Sequence, residues 1–401
     1  MMTEVETALE TAETALITSD VGVLATLVGV AAFFFWLERA TRWKLFQYIV
    51  PLIWIYATPV VLRNTGILPA DSGVYDVLRS IGLPVVIVLL LVDVDVGAAV
   101  RIMGKGVGVM LIGTAGIVIG APIGYFVVHG WLEPDAWKGF AALSGSWIGG
   151  TGNMAAVSEG VGASPEQFGL AVLADTVIYV AWLPLLLASK NFAERFNKWT
   201  GVEEGRLEKI EAAAAAEATE EGKIQMVHYL FLGALALLVT WGAVVAAPLL
   251  PETAITSTGT WLILLITAAG IALSFTPAKS VPGSHNLAMA VLYVFVARMG
   301  ATASLEGLAQ APAFLLGTAI WIMVHGVFVL GAAYLLKVDV HSAAIASAAN
   351  VGGAASAPVV AAFHRESLVP VSILMALIGY AIGNPLGLLV VAPLCRWVGG
   401  G

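Results

Sequence analysis

The 401-residue chain is 59% hydrophobic and 11% charged, with a mean hydropathy of +0.91 and a formal net charge of −8. Soluble domains carry about 25% charged residues, and surface per residue shrinks too slowly with size for a water-soluble fold to hide this much apolar side chain, so a bilayer is the fitting solvent. A single cysteine, Cys395, excludes a disulfide framework and a thiolate metal site, the six histidines show no HxxxH or HxH spacing, and the acidic balance offers nucleic acid no basic face.

Residues 1–19 carry Glu4, Glu6, Glu10 and Glu13 without Lys or Arg, so they do not read as a cleaved signal peptide. They read as a tail, either a short surface helix or a disordered end, ahead of a signal-anchor span. A bilayer core of ~30 Å needs ~20 mostly apolar residues per helix. On that ruler the first half, 20–190, holds six segments: 20–38, 45–63, 75–97, 105–130, 137–162 and 165–190. The second half, 226–396, holds 226–250, 256–277, 286–304, 311–336, 339–363 and 367–395. Between the halves, 191–225 is rich in Glu, Lys and Ala with no apolar run, and reads as a solvated, partly helical linker. The expected fold is an all-α integral membrane protein of about twelve transmembrane helices, multi-pass in the cell (inner or cytoplasmic) membrane.

The halves match at a shift of about 203 residues. Gly113-Thr114 falls near Gly317-Thr318, Gly149-Gly150 falls on Gly352-Gly353, and Tyr179 and Pro184 match Tyr380 and Pro385 after a small gap. Ordered matches at one offset indicate internal duplication, which is characteristic of secondary transporters.

The fifth and eleventh segments differ from their neighbours. SGSWIGGTGN places Gly149, Gly150, Thr151 and Asn153 mid-segment, and the second half answers with Asn350, Gly352, Gly353 and Ser356. Gly costs ~1 kcal/mol at a helix position, and unwound backbone at membrane depth survives only when buried in protein or lining a wet cavity. Such segments are either interrupted helices whose freed backbone faces a substrate or ion, or small-residue packing seams. Polar neighbours in matching places of both halves favour the first reading.

Asp175 stands about ten residues past Pro165, near the expected midplane. A carboxylate at that depth costs ~2.5–3.5 kcal/mol, so it is a candidate ion or proton site; the alternative is a protonated Asp bonded to Thr151 or Asn153. Asn384, before Pro385, either completes a polar site or bonds a carbonyl freed by the proline. Asp93 and Asp95 read as an interfacial helix end, and Glu159 as interfacial. Arg298 either snorkels or attracts an anionic substrate. There is no GxxxxGK[ST], HExxH or GxSxG in a triad context, so neither ATP drive nor an enzyme is expected.

The stretches WIGGTGNMAAVSEGVGASPEQFGLAVLADT, ANVGGAASAPVVAA and LIGYAIGNPLG resemble the YjcL-like family of bacterial and archaeal membrane proteins, a domain of unknown function. That family is similar in turn to the cation:proton antiporter and anion transporter superfamily, with likeness over about residues 20–395. The resemblance implies inverted repeats, a core domain with two crossing interrupted helices, a panel domain, and an acidic Na+ or H+ site at Asp175. The antiporters commonly pair Asn-Asp or Asp-Asp there; this chain has Ala174-Asp175, which leaves symport or uniport open. Twelve crossings create a conflict. They make the repeats parallel and set the basic linker (Lys190, Arg195, Lys198, Arg206, Lys209) opposite the basic first loop (Arg39, Arg42, Lys44). Either a segment is not a true crossing or the linker is external.

The expectation is a secondary transporter of a small solute, an organic anion being one option, or of an ion. It would work by alternating access with Na+ or H+ as coupling ion, no other cofactor, a lipid bilayer around it and homodimerisation left open. The alternative is a non-transporting sensor or assembly component on the same scaffold.

Overall fold

The computed structural model describes residues 15–43, 46, 51–203, 205–217, 224–253, 256–303 and 310–400, so residues 1–14 of the acidic tail lie outside it. Among the described residues the regular structure is entirely helical. The first half contains α1 (Asp20–Thr41), α2 (Pro51–Asn64), α3 (Gly73–Val92, with a π turn at Leu78–Gly82), α4 (Val96–Met103), α5 (Lys105–Val128), α6 (Trp137–Gly149), α7 (Thr151–Gly160) and α8 (Pro165–Ser189). The linker forms α9 (Ala193–Thr200) and α10 (Arg206–Glu217). The second half contains α11 (Met226–Ala246), α12 (Thr258–Ser274), α13 (Ser284–Thr302), α14 (Ala311–Leu336), α15 (Val340–Val351), α16 (Gly353–His364), α17 (Val369–Leu386) and α18 (Ala392–Val398).

Among the described residues, seven helical stretches are long and apolar enough to cross a membrane: those at α1, α3, α5, α8, α11, α14 and α17–α18. Leu230, Leu238 and Trp241 of α11 and Met323, Val327 and Leu335 of α14 are exposed, as lipid-facing side chains are. Local sequence sets the helix starts. Ser164 and Gln167 form a capping box ahead of Pro165, with Ser164 N–H donating to Gln167 Oε1 at 2.8 Å. Asp339 caps α15 by accepting from Ser342 N–H at 2.8 Å.

The helices pack in two layers, each drawing on both halves. One joins α1, α2 and α3 to α11, α12 and α13; the other joins α5, α6, α7 and α8 to α14, α15, α16 and α17. Helices α5 and α14 lie side by side and antiparallel. Gly124 faces Gly317, Gly120 faces Trp321, Gly116 faces His325 and Phe328, and Gly108 faces Leu336. Gly116, Gly120 and Gly124, four apart, let the backbones close up.

The fifth and eleventh segments do not cross. Helix α7 folds back along α6: a Cβ on Gly145 would meet the Asn153 and Met154 backbone. Both ends of this pair emerge together, since Trp137 and Gly160 line one surface pocket and Gln167 Nε2 donates to Asp135 O at 2.9 Å. Helices α15 and α16 do the same, with His341 and His364 in a ring-nitrogen hydrogen bond of 3.0 Å at their open end. The reason is backbone geometry. Gly150 (φ 83) and Gly353 (φ 59) reverse the chain rather than kink it, and Gly145 and Gly149 leave room for the returning leg. The expectation of two crossing, interrupted helices is corrected to two re-entrant hairpins.

The hairpins enter from opposite faces. The base of α15–α16 adjoins Lys190, which donates to Phe363 O at 2.7 Å, and Arg206, which pairs with Asp339. This basic face also carries Arg101, Lys279 and Lys337. The base of α6–α7 opens at the far face, beside Gln310 and the α12 start. The linker docks on the basic face, with Thr200 and Ile210 buried.

Candidate functional site

The two hairpin turns meet between the layers. A Cβ on Gly353 would stand 3.3 Å from Gly150 Cα. Each turn joins a helix C-terminus to a helix N-terminus, so carbonyls and N–H groups without intrahelical partners converge from both sides. A cavity of ≈ 150 Å³ lies against them. Ser146, Gly150, Thr151 and Gly152 come from the first hairpin, and Gly352, Gly353 and Ser356 from the second. Helix α8 adds Asp175, Thr176 and Tyr179, and α17 adds Tyr380. The other layer closes the wall with Pro51, Leu52, Leu90, Met289, Leu292 and Tyr293.

Among the described residues, Asp175 is the only charged side chain in this wall. Its Oδ1 accepts from Trp147 Nε1–H at 3.0 Å, and Ser146 is its second polar neighbour. One turn along α8, the Tyr179 hydroxyl is buried beside Ser356, its polar neighbour in the second hairpin. The two tyrosines stand over opposite tips. A Cβ on Gly352 would lie 3.1 Å from Tyr179 Cε2, and one on Gly150 would lie 3.2 Å from Tyr380 Cε1. The set is rich in oxygen acceptors and carries one negative charge. It suits a proton or a small hard cation, for which carboxylate, hydroxyl and carbonyl oxygens are the right ligands.

The structure brings together Asp175, Gly150, Thr151, Gly352, Gly353 and Ser356. It sets the other candidates behind the wall. Gly149 packs directly on the Gly379 backbone. Asn153 Nδ2 donates to Tyr380 O at 3.0 Å, tying the first hairpin to α17. Thr114 donates to the Asn350 amide oxygen at 2.7 Å while Asn350 Nδ2 donates to Met110 O at 3.0 Å, tying the second to α5. Asn384 Nδ2 donates to Thr267 Oγ1 at 2.9 Å and reaches no part of the cavity.

Arg298 neither snorkels nor offers a charge to an anion. It is 8% exposed and donates to Glu159 Oε1 at 3.1 Å, away from the cavity. Glu159, in the last turn of α7, is its ion-pair partner. Asp95 does close a helix end, capping α4 through Ala98 N–H at 2.9 Å, and Asp93 accepts from the Ser284 hydroxyl. Trp147 was not foreseen, although an indole inside a Gly- and Ser-rich run is itself unusual. Tyr179 and Tyr380 were legible only as markers of duplication.

A family model described as protein of unknown function (DUF819) matches residues 25–396. The chain is 26% identical over 367 residues to the uncharacterized membrane protein YjcL of Bacillus subtilis (strain 168), covering 88% of this chain and 91% of that one. Together with the seven apolar helices, this makes the chain a multi-pass membrane protein.

Proposed function

The chain belongs to the DUF819 family, and on that premise we propose that it is a secondary active transporter of a small solute or ion, coupled to Na+ or H+ and working by alternating access. The observation that carries the reading is Asp175, a lone carboxylate at the meeting point of two opposed hairpin tips, in a cavity between two helical layers. The layer holding the hairpins is the moving core and the layer of α1–α3 and α11–α13 the panel. The cavity is small beside ligand pockets of about 300–1,000 Å³, which favours an ion or a solute of few atoms. With Arg298 engaged elsewhere, the organic-anion option loses its support.

The two halves are inverted repeats in this reading. Equivalent helices α5 and α14 run antiparallel. With both hairpins re-entrant, each half crosses an odd number of times, which inverts the second half. The same count returns the linker to the side of Arg39, Arg42, Arg101 and Lys105. The positive-inside rule makes that face cytoplasmic, and the reading places the protein in the cell (inner or cytoplasmic) membrane. Currents evoked by Na+ or pH jumps across proteoliposomes test the assignment. Transient currents under at least one gradient are expected, and silence under both, with folded protein in the bilayer, refutes it.

A further inference from the structure

We propose that Glu159, Arg298 and Arg79 form a far-face gate that keeps the cavity shut toward the far face and open toward the basic face, an inference that rests on the transport reading. The panel side chains in the cavity wall include Pro51 at the start of α2, Leu90 near the end of α3 and Met289 in the first third of α13. All three lie toward the basic face. Toward the far face the same layer is packed shut, with Leu83, Phe295 and Met299 fully buried.

Glu159 sits in this sealed half, at the last turn of α7. Its Oε1 accepts from Arg298 Nη1 of α13 at 3.1 Å, and its Oε2 pairs with Arg79 Nε of α3 at 2.7 Å. One carboxylate of the hairpin layer is therefore clasped by two guanidinium groups of the opposite layer. The Arg298 and Glu159 side chains are 10% and 14% exposed, so solvent and salt screen them little. The Phe295 ring, 5.7 Å from the Arg298 guanidinium, flanks the pair.

The shift that lays Gly149-Gly150 on Gly352-Gly353 lays Glu159 on Ala362. One ion pair at the basic face, Lys279 with Asp95 at 3.2 Å, has side chains 43% and 36% exposed, and exposed pairs contribute little; the buried Arg206–Asp339 pair on that face ties the linker helix α10 to α15 and does not join the two layers. The layers part easily on one side and are held by a buried charge cluster on the other. Sliding the hairpin layer breaks that cluster and leaves a buried charge uncompensated, so it must open before the cavity can face outward.

The test is thiol accessibility. Leu52→Cys, in a Cys395→Ala background and in sealed vesicles of known orientation, is labelled by a membrane-impermeant thiol reagent from either face. The parent is expected to react from the basic face and about tenfold or more slowly from the far face. Glu159→Gln, which weakens two charge-assisted bonds, raises the far-face rate about tenfold or more. Arg79→Gln, at a side chain 56% exposed, raises it less and carries the test if Glu159→Gln does not fold. Far-face rates equal to the parent in the folded variants overturn the gate. Labelling needs no substrate. Faster far-face labelling in a protein without flux removes the transport reading alone, and flux with unmoved labelling removes the gate alone.

Discussion

Replacing Gly150 by alanine probes the meeting of the hairpins directly. Gly150 has φ 83 and ψ −179, a region that is essentially glycine-only and costs a side chain about 1–3 kcal/mol. The new Cβ would also stand 3.2 Å from Tyr380 Cε1, tighter than ordinary carbon contact at about 3.5–4.0 Å, so Tyr380 must shift too. Together these disfavour the observed tip by about 2–3 kcal/mol, or roughly 30–150-fold in population. Gly233→Ala, in the middle of α11 with nothing within 4 Å of its Cβ, is the control. It is expected to be neutral or to stabilise by about 0.5–1 kcal/mol. Thermal unfolding of purified protein, with and without Na+, reads both. Gly150→Ala is expected to melt earlier than the parent and to lose its stabilisation by the ion. A Gly150→Ala protein that melts with the parent and keeps the parent's ion response refutes the tip geometry.

Three further outcomes are expected. Trp147→Phe removes the indole donor from Asp175, a bond to a charged group worth about 1.5–3 kcal/mol; the coupling-ion half-saturation should shift about tenfold or more, and because Trp147 is fully buried the variant should also melt earlier than the parent. Arg206→Ala leaves Asp339 with a side chain 4% exposed and no ion-pair partner among the described residues, so α10 should undock and limited proteolysis within 205–217 should accelerate. Ala98 N–H and, more weakly, Lys279 hold the Asp95 carboxyl below the usual carboxylate range. A lowered folded value means the stabilisation is full above about pH 4 and fades as pH falls through the folded value. The melting difference between parent and Asp95→Asn should therefore be present at pH 7 and shrink progressively as the pH falls below about 4.

Composition alone reveals the membrane, and the glycine pairs at 149–150 and 352–353 locate the interruptions. What those glycines do was not legible. A run such as GSWIGGTGN can kink a spanning helix or reverse it, and hydropathy is the same for both. The choice lies in the positive φ of Gly150 and Gly353 and in the packing of Gly145 on Asn153, long-range facts that no local window contains. The charge pattern did hold the clue: basic segments assigned to opposite sides by twelve crossings fall on one face once two segments turn back. Asp175 stood out because a carboxylate amid LAVLADTVIYV has few structural excuses. Arg298 was misjudged because its partner, Glu159, lies 139 residues away in sequence.

The central claim is that Asp175 is where the coupling ion or proton binds and that its occupancy drives flux. Ion-jump currents from proteoliposomes holding equal amounts of parent and Asp175→Asn, each shown to be folded by its melting curve, test this most directly. The variant keeps the shape of the side chain and loses the charge. Coupled current should vanish while the fold persists. Parent-level coupled current from Asp175→Asn contradicts the account.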